Sequence, residues 1–166
     1  MKRALLIGLA LLTVSGAGTN AAAQVVRLPP MPRIGPRGQP PPPITIDMLR
    51  AEFVARSGSD TVYFAGNNFV LDPAARATLT AQARWLLANP AIAVRIEGHA
   101  DDRTPRDYAL AIGERRASAV RDFLVLQGVP AAQLTIISWG KERPAVEGAS
   151  EMALALNRRV TTVLMR

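Results

Sequence analysis

The sequence predicts an α+β domain, a βαβαβαβ sandwich whose helices pack on one side of a mixed sheet. Three stretches carry that expectation. From Asp107 to Gln127, apolar Ile112, Val120, Phe123 and Leu124 recur at helical spacing, and Gly128 follows as a stop. Ile92, Val94 and Ile96 alternate with Arg95 and Glu97, the pattern of a strand with one wet face. Asp72-Pro73 supplies an N-cap and a first-turn proline for another helix.

Taken in chain order, residues 1–23 read as a secretory signal. Lys2 and Arg3 start it, Ala4 to Val14 form its apolar run, and Ala21-Ala22-Ala23 offers a cleavage site before Gln24. That run is shorter than the roughly 20 residues a bilayer span requires. Residues 24–43 form a proline-rich linker in which PPMPRIGPRGQPPPP spans Pro29 to Pro43, suited to extended polyproline II and unable to build a core. At about 3.1 Å per residue this stretch reaches about 45 Å. The domain is expected over 44–166, with its core from about residue 60. About 120 residues suffice for one core and not for two.

Within the domain a short helix is expected over Thr45–Arg56 and a brief strand at Val62-Tyr63-Phe64. The Asp72-capped helix runs to about Ala88 and closes at Asn89-Pro90. The alternating strand and the long helix follow. Leu134 to Trp139 is a strand, Ser150 caps a helix to about Asn157, and Val160 to Met165 is the last strand. No internal repeat is visible.

The chain carries 20 Lys and Arg against 13 Asp and Glu, a formal charge of +7. Removing Lys2 and Arg3 with the signal leaves 18 against 13, or +5, with Arg27, Arg33 and Arg37 in the linker. Among counter-charges for a basic exported protein, the carboxylate-rich cell wall suits better than nucleic acid, since aromatics are few and no nucleic-acid-binding motif is recognisable. The chain has no cysteine, so disulfides and a thioether lipid anchor are both excluded. Val14-Ser15-Gly16-Ala17 has the outline of a lipoprotein signal with Ala17 in the cysteine position.

The most informative residue lies on the long helix. At about 100° per residue, Arg116 falls between Ile112 and Val120 on the apolar stripe. A guanidinium among core positions keeps its proton and must find acceptors. Either it is satisfied internally, by Asp101 or a carbonyl, or it lines a pocket and forks onto a ligand carboxylate. Together, an acid and a base at a cleft suit a ligand with both an amine and a carboxylate, such as a free amino-acid end. His99 is the only histidine, too few ligands for a metal site, and is expected to bond the backbone through its ring nitrogens. Asp102 is expected to be solvated or to cap the next turn. Trp85 and Trp139 are read as packing residues. Arg158 and Arg159 stand at the mouth of the last strand, either backing the site or solvated. No serine or cysteine nucleophile has a base at motif spacing, so no enzyme is expected.

The stretch GHADDRTPRDYALAIGERRASAVRDFLVLQGV over 98–129 resembles the OmpA-like peptidoglycan-binding domain, and within it the peptidoglycan-associated lipoproteins (Pal). The resemblance continues through Ser138-Trp139-Gly140-Lys141-Glu142-Arg143-Pro144-Ala145-Val146 and Asn157-Arg158-Arg159-Val160, covering about residues 60–166. It implies non-catalytic binding of peptidoglycan in the periplasm, without cofactor, in support of envelope integrity. Asp101 would take the ammonium and Arg116 the carboxylate of diaminopimelate in the stem peptide, with Asn67 and Arg158 completing the set. It also makes the translocation β-propeller protein TolB the first protein partner to consider.

The chain departs from that family's usual residues in several places. The F-D-x-D pattern is replaced by Phe64-Ala65-Gly66-Asn67, a usual Gly and Asn by Thr104 and Ala109, and a usual Ser by Ala111. Losing a helix cap costs about 1 kcal/mol, and a charged hydrogen bond about 1.5–3 kcal/mol. Two or three such losses weaken a ligand about a thousandfold. An alternative follows: a protein-interaction module with weakened wall binding.

Overall fold

A computed structural model describes residues 44–165. The expected signal, 1–23, and linker, 24–43, lie outside the described residues. Nine elements follow in order: α1 (Ile46–Ser57), β1 (Thr61–Tyr63), α2 (Pro73–Ala88), β2 (Ala93–His99), α3 (Arg106–Leu126), a 3-10 turn (Ala131–Gln133), β3 (Leu134–Gly140), α4 (Glu151–Asn157) and β4 (Arg159–Met165). The capping chemistry read from the sequence is present. Asp72 accepts from the Ala75 amide at 2.7 Å, and Ser150 accepts from the Ala153 amide at 3.2 Å. Gly128, at φ +98°, ends α3 as only a residue without a β-carbon does readily.

Several boundaries shift by about one residue, among them those of β1 and α3. β1 occupies Thr61–Tyr63 rather than Val62–Phe64, because its ladder with β4 ends at Tyr63 opposite Arg159. α3 starts at Arg106 behind Pro105, with no side-chain cap. The four strands lie in the order β1-β4-β2-β3, with β4 antiparallel to β1 and β2, and β3 parallel to β2. This is the expected mixed sheet with helices on one side. On β4, Val160, Thr162 and Leu164 are buried, while Arg159, Thr161 and Val163 between them are half-buried.

One core joins Phe53, Leu79, Leu86, Val94, Ile96, Val120, Leu124 and Val160. Trp85 packs edge-on against Phe53 at 5.1 Å, so its reading as a packing residue holds. Buried Gln82 ties α2 to the sheet, donating to Ser59 O at 2.8 Å and accepting from the Thr162 hydroxyl at 2.9 Å.

α3 lies close over β2 because both contribute glycine at the crossing. A β-carbon on Gly98 would collide with the Gly113 carbonyl, and one on Gly113 would collide with the Ser138 hydroxyl. This contact sets the height of Arg116 over the end of β2. We expect Gly98→Ala to lose at least about 2 kcal/mol of stability, read as a lower urea midpoint at unchanged slope.

Candidate functional site

The site forms where β2 ends, α3 begins its inward stripe, and the β1–α2 loop returns across both. Arg116 is 1 % exposed. Its Nε donates to Asn68 O at 2.9 Å, its Nη1 to His99 O at 2.8 Å, and its Nη2 to Gly66 O at 2.6 Å. The Phe64 ring lies 5.3 Å from the guanidinium. Three of the five N–H donors of arginine are thus taken by backbone carbonyls. Burial pushes the Arg116 pKa down to about 10; Asp101 opposes that shift and Arg158 adds to it. It is a cation at neutral pH.

Asp101, 3 % exposed, is held by Arg158 rather than by Arg116, with Nη1 to Oδ2 at 3.0 Å. Arg158 also donates through Nε to Phe64 O at 3.3 Å and through Nη2 to Glu151 at 3.1 Å. Glu151 in turn meets Arg103. The result is a chain of alternating charge from the exposed Arg103 inward to buried Asp101. Burial disfavours the Arg158 cation, but its bonds to Asp101 and Glu151 outweigh that and raise its pKa.

Asp101, Arg116 and Arg158 therefore share one place. Asn67 does not join them: it is exposed, and its loop reaches Arg116 through the main chain of Gly66 and Asn68. Gly66 makes that turn at φ +51°. Sequence reasoning overlooked Glu151 and Arg103. Glu151 lies seven positions before Arg158, two turns along the same helix face, a spacing that could have flagged it. Ala109, where the family usually has Asn, is fully buried against Ala100 and Ile112, so packing replaces polar contact there.

His99 meets its expectation only in part. Its Nδ1 has no hydrogen-bond partner among the described residues, although the ring is buried. Its pKa is pushed down to about 4, first by burial and then by Arg159 and Arg143, with a backbone hydrogen bond at Arg143 opposing. Asp102 is exposed, as expected of a solvated residue. Among the described residues no cluster of His, Cys, Asp or Glu is suited to a metal, and no helix is long and apolar enough to cross a membrane.

Two consequences can be measured. Arg116→Met strips three carbonyls of their donor and should cost about 2–4 kcal/mol, with faster amide exchange over residues 64–70. For His99, the unfolded chain takes up a proton near pH 6.5 and the fold only near pH 4. Between those values the unfolded state binds more protons, so stability falls as the pH drops through that window. The loss should reach roughly 2–3 kcal/mol at pH 4. His99→Gln should remove that component, and parallel pH profiles for the two proteins would contradict the assignment.

Residues 63–158 match the family model described as the OmpA family. The peptidoglycan-associated lipoprotein of Agrobacterium fabrum is 45 % identical over 105 residues, covering 63 % of this chain and 59 % of the relative. That of Pseudomonas aeruginosa is 47 % identical over 115 residues, covering 69 % and 68 %. The chain thus spans about three fifths of the length of the first of these relatives. Among solved structures, the peptidoglycan-associated lipoprotein from Burkholderia pseudomallei superposes with TM-score 0.64 at 36 % identity, covering 65 % of this chain and 92 % of that one. The C-terminal domain of Helicobacter pylori MotB reaches TM-score 0.60 at 19 % identity, covering 64 % and 84 %, and shares the fold. None of these relatives carries the name of an enzyme.

Proposed function

Because this chain belongs to the OmpA family, we propose that it binds peptidoglycan without breaking a bond, taking the amino-acid end of a diaminopimelate stem peptide between Asp101 and Arg116. The observation that carries this reading is an acid and a base, each at most 3 % exposed, brought together beneath one loop. Asp101 keeps Oδ1 without a hydrogen bond among the described residues, an acceptor for an ammonium group. Arg116 keeps one N–H on each terminal nitrogen for a carboxylate. Arg158 positions Asp101, and Asn67 lies at the rim, where an arriving peptide meets the loop first.

Access requires the loop around Gly66–Asn68 to lift, since its carbonyls occupy Arg116. The apparent affinity is then the intrinsic one reduced by the fraction of open loop. On this reading the protein works in the periplasm after cleavage of its signal peptide and contributes to envelope integrity. The occupied guanidinium also supports a second reading, an envelope protein-interaction module with TolB as its first candidate partner.

Co-sedimentation with diaminopimelate-containing sacculi tests the proposal, using wild type, Asp101→Asn and Arg116→Lys after circular dichroism has confirmed each fold. We expect saturable pelleting of wild type and at least tenfold weaker binding of both variants. Folded wild type that stays in the supernatant would rule out wall binding and leave the interaction reading.

A further inference from the structure

Asp101 and Arg158 are both buried, and a carboxylate facing a guanidinium frequently takes it through both oxygens. Here that fork is half-made. Nη1 of Arg158 donates to Oδ2 of Asp101 at 3.0 Å, while Nη2 turns to Oε1 of Glu151 at 3.1 Å. Nε donates to Phe64 O at 3.3 Å, so each nitrogen of the guanidinium has a different partner. Two carboxylates thus divide one guanidinium, and Oδ1 of Asp101 is left without a hydrogen bond among the described residues.

Local chain geometry places Glu151 for this. It opens α4 behind the Ser150 cap, and Arg158 caps the other end of the same helix. Seven residues are two helical turns, so the backbone sets both side chains on one face. The Glu151 side chain is 67 % exposed and reaches inward to an arginine that is buried. Its other oxygen, Oε2, meets Arg103 of the β2–α3 loop. With an arginine on each oxygen, Glu151 is poorly placed to take a ligand ammonium itself.

We propose that Glu151 is a positioning residue: by holding Nη2 of Arg158 it keeps Oδ1 of Asp101 open for a ligand ammonium. The inference rests on the peptidoglycan reading for its ligand, and on the contacts of Arg158 for its geometry. Without the Glu151 carboxylate, Nη2 loses its acceptor, and a buried N–H left unpaired is costly. Arg103 offers donors only and cannot take the place of Glu151. Oδ1, on the carboxylate that Nη1 already binds, is the acceptor that restores the lost bond. The pair then closes into a bidentate fork, and Asp101 turns no free oxygen to the ligand. A side chain that does not touch the ligand thereby sets how strongly its amine is held.

Crystal structures and sacculus co-sedimentation of wild type, Glu151→Ala and Glu151→Gln test this. In Glu151→Ala, Nη1 and Nη2 of Arg158 should each lie within about 3 Å of one Asp101 oxygen. Binding to diaminopimelate-containing sacculi should weaken about tenfold, the equivalent of one charged hydrogen bond, with unchanged circular dichroism. Glu151→Gln, whose amide oxygen still accepts from Nη2, should recover most of that loss although its charge is gone. A fork that stays open in Glu151→Ala would overturn the proposal. Equal weakening by alanine and glutamine would overturn it as well, by assigning the effect to charge alone. So would unaltered binding by Glu151→Ala with the fork closed, since Oδ1 would then not serve the ligand. If wild type itself does not pellet, the wall reading falls, while a closed fork in Glu151→Ala still upholds the control of Oδ1 by Glu151.

Discussion

The guanidinium of Arg116 ties three segments together: α3 supplies it, the last residue of β2 accepts one bond, and the β1–α2 loop accepts two. A cation at 1 % exposure is tolerable only because oxygen dipoles replace its lost water. In return, three main-chain carbonyls that leave regular structure at one corner find a single planar donor. Neither party is stable there without the other. The Gly98–Gly113 crossing brings α3 near enough for the bond to His99, and the left-handed turn at Gly66 brings the loop.

A second charge system leaves Arg116 in that role. Asp101 would be a natural partner for Arg116, but it is bonded by Arg158, which Glu151 and Arg103 connect to the surface. Buried charge is spread over a chain of alternating sign and not concentrated in one pair. Each member then needs only part of its neighbour's capacity, so unused acceptor and donor positions remain on Asp101 and Arg116. Such a corner is both structurally committed and chemically incomplete. That combination suits a ligand of mixed charge, and it also couples ligand access to the loop that closes over it.

Much of the fold was legible because local chemistry dictated it. Asp72-Pro73 and Ser150 started helices, Gly128 ended one, and alternation along Val94–Glu97 marked a strand. The placement of Arg116 on the inward stripe followed from helical period alone. Its partners did not, since Gly66 and Asn68 are about fifty positions away and contribute main-chain atoms that no residue-type pattern records. The same limit explains the lowered pKa of His99: burial comes first, and the charges of Arg159 and Arg143 that add to it, distant in sequence, become adjacent only after the sheet forms.

The sequence by itself determined the element order, the caps, the presence of a buried arginine, and the family resemblance that residues 63–158 carry. These depend on periodicity and on short-range bonds between neighbours in the chain. Only the tertiary structure decided that Arg158, not Arg116, holds Asp101, and that loop carbonyls occupy Arg116. Several acceptors could satisfy a buried cation equally well. The choice among them is made by chain geometry over long sequence separations, where each guanidinium takes the oxygens that packing brings within about 3 Å.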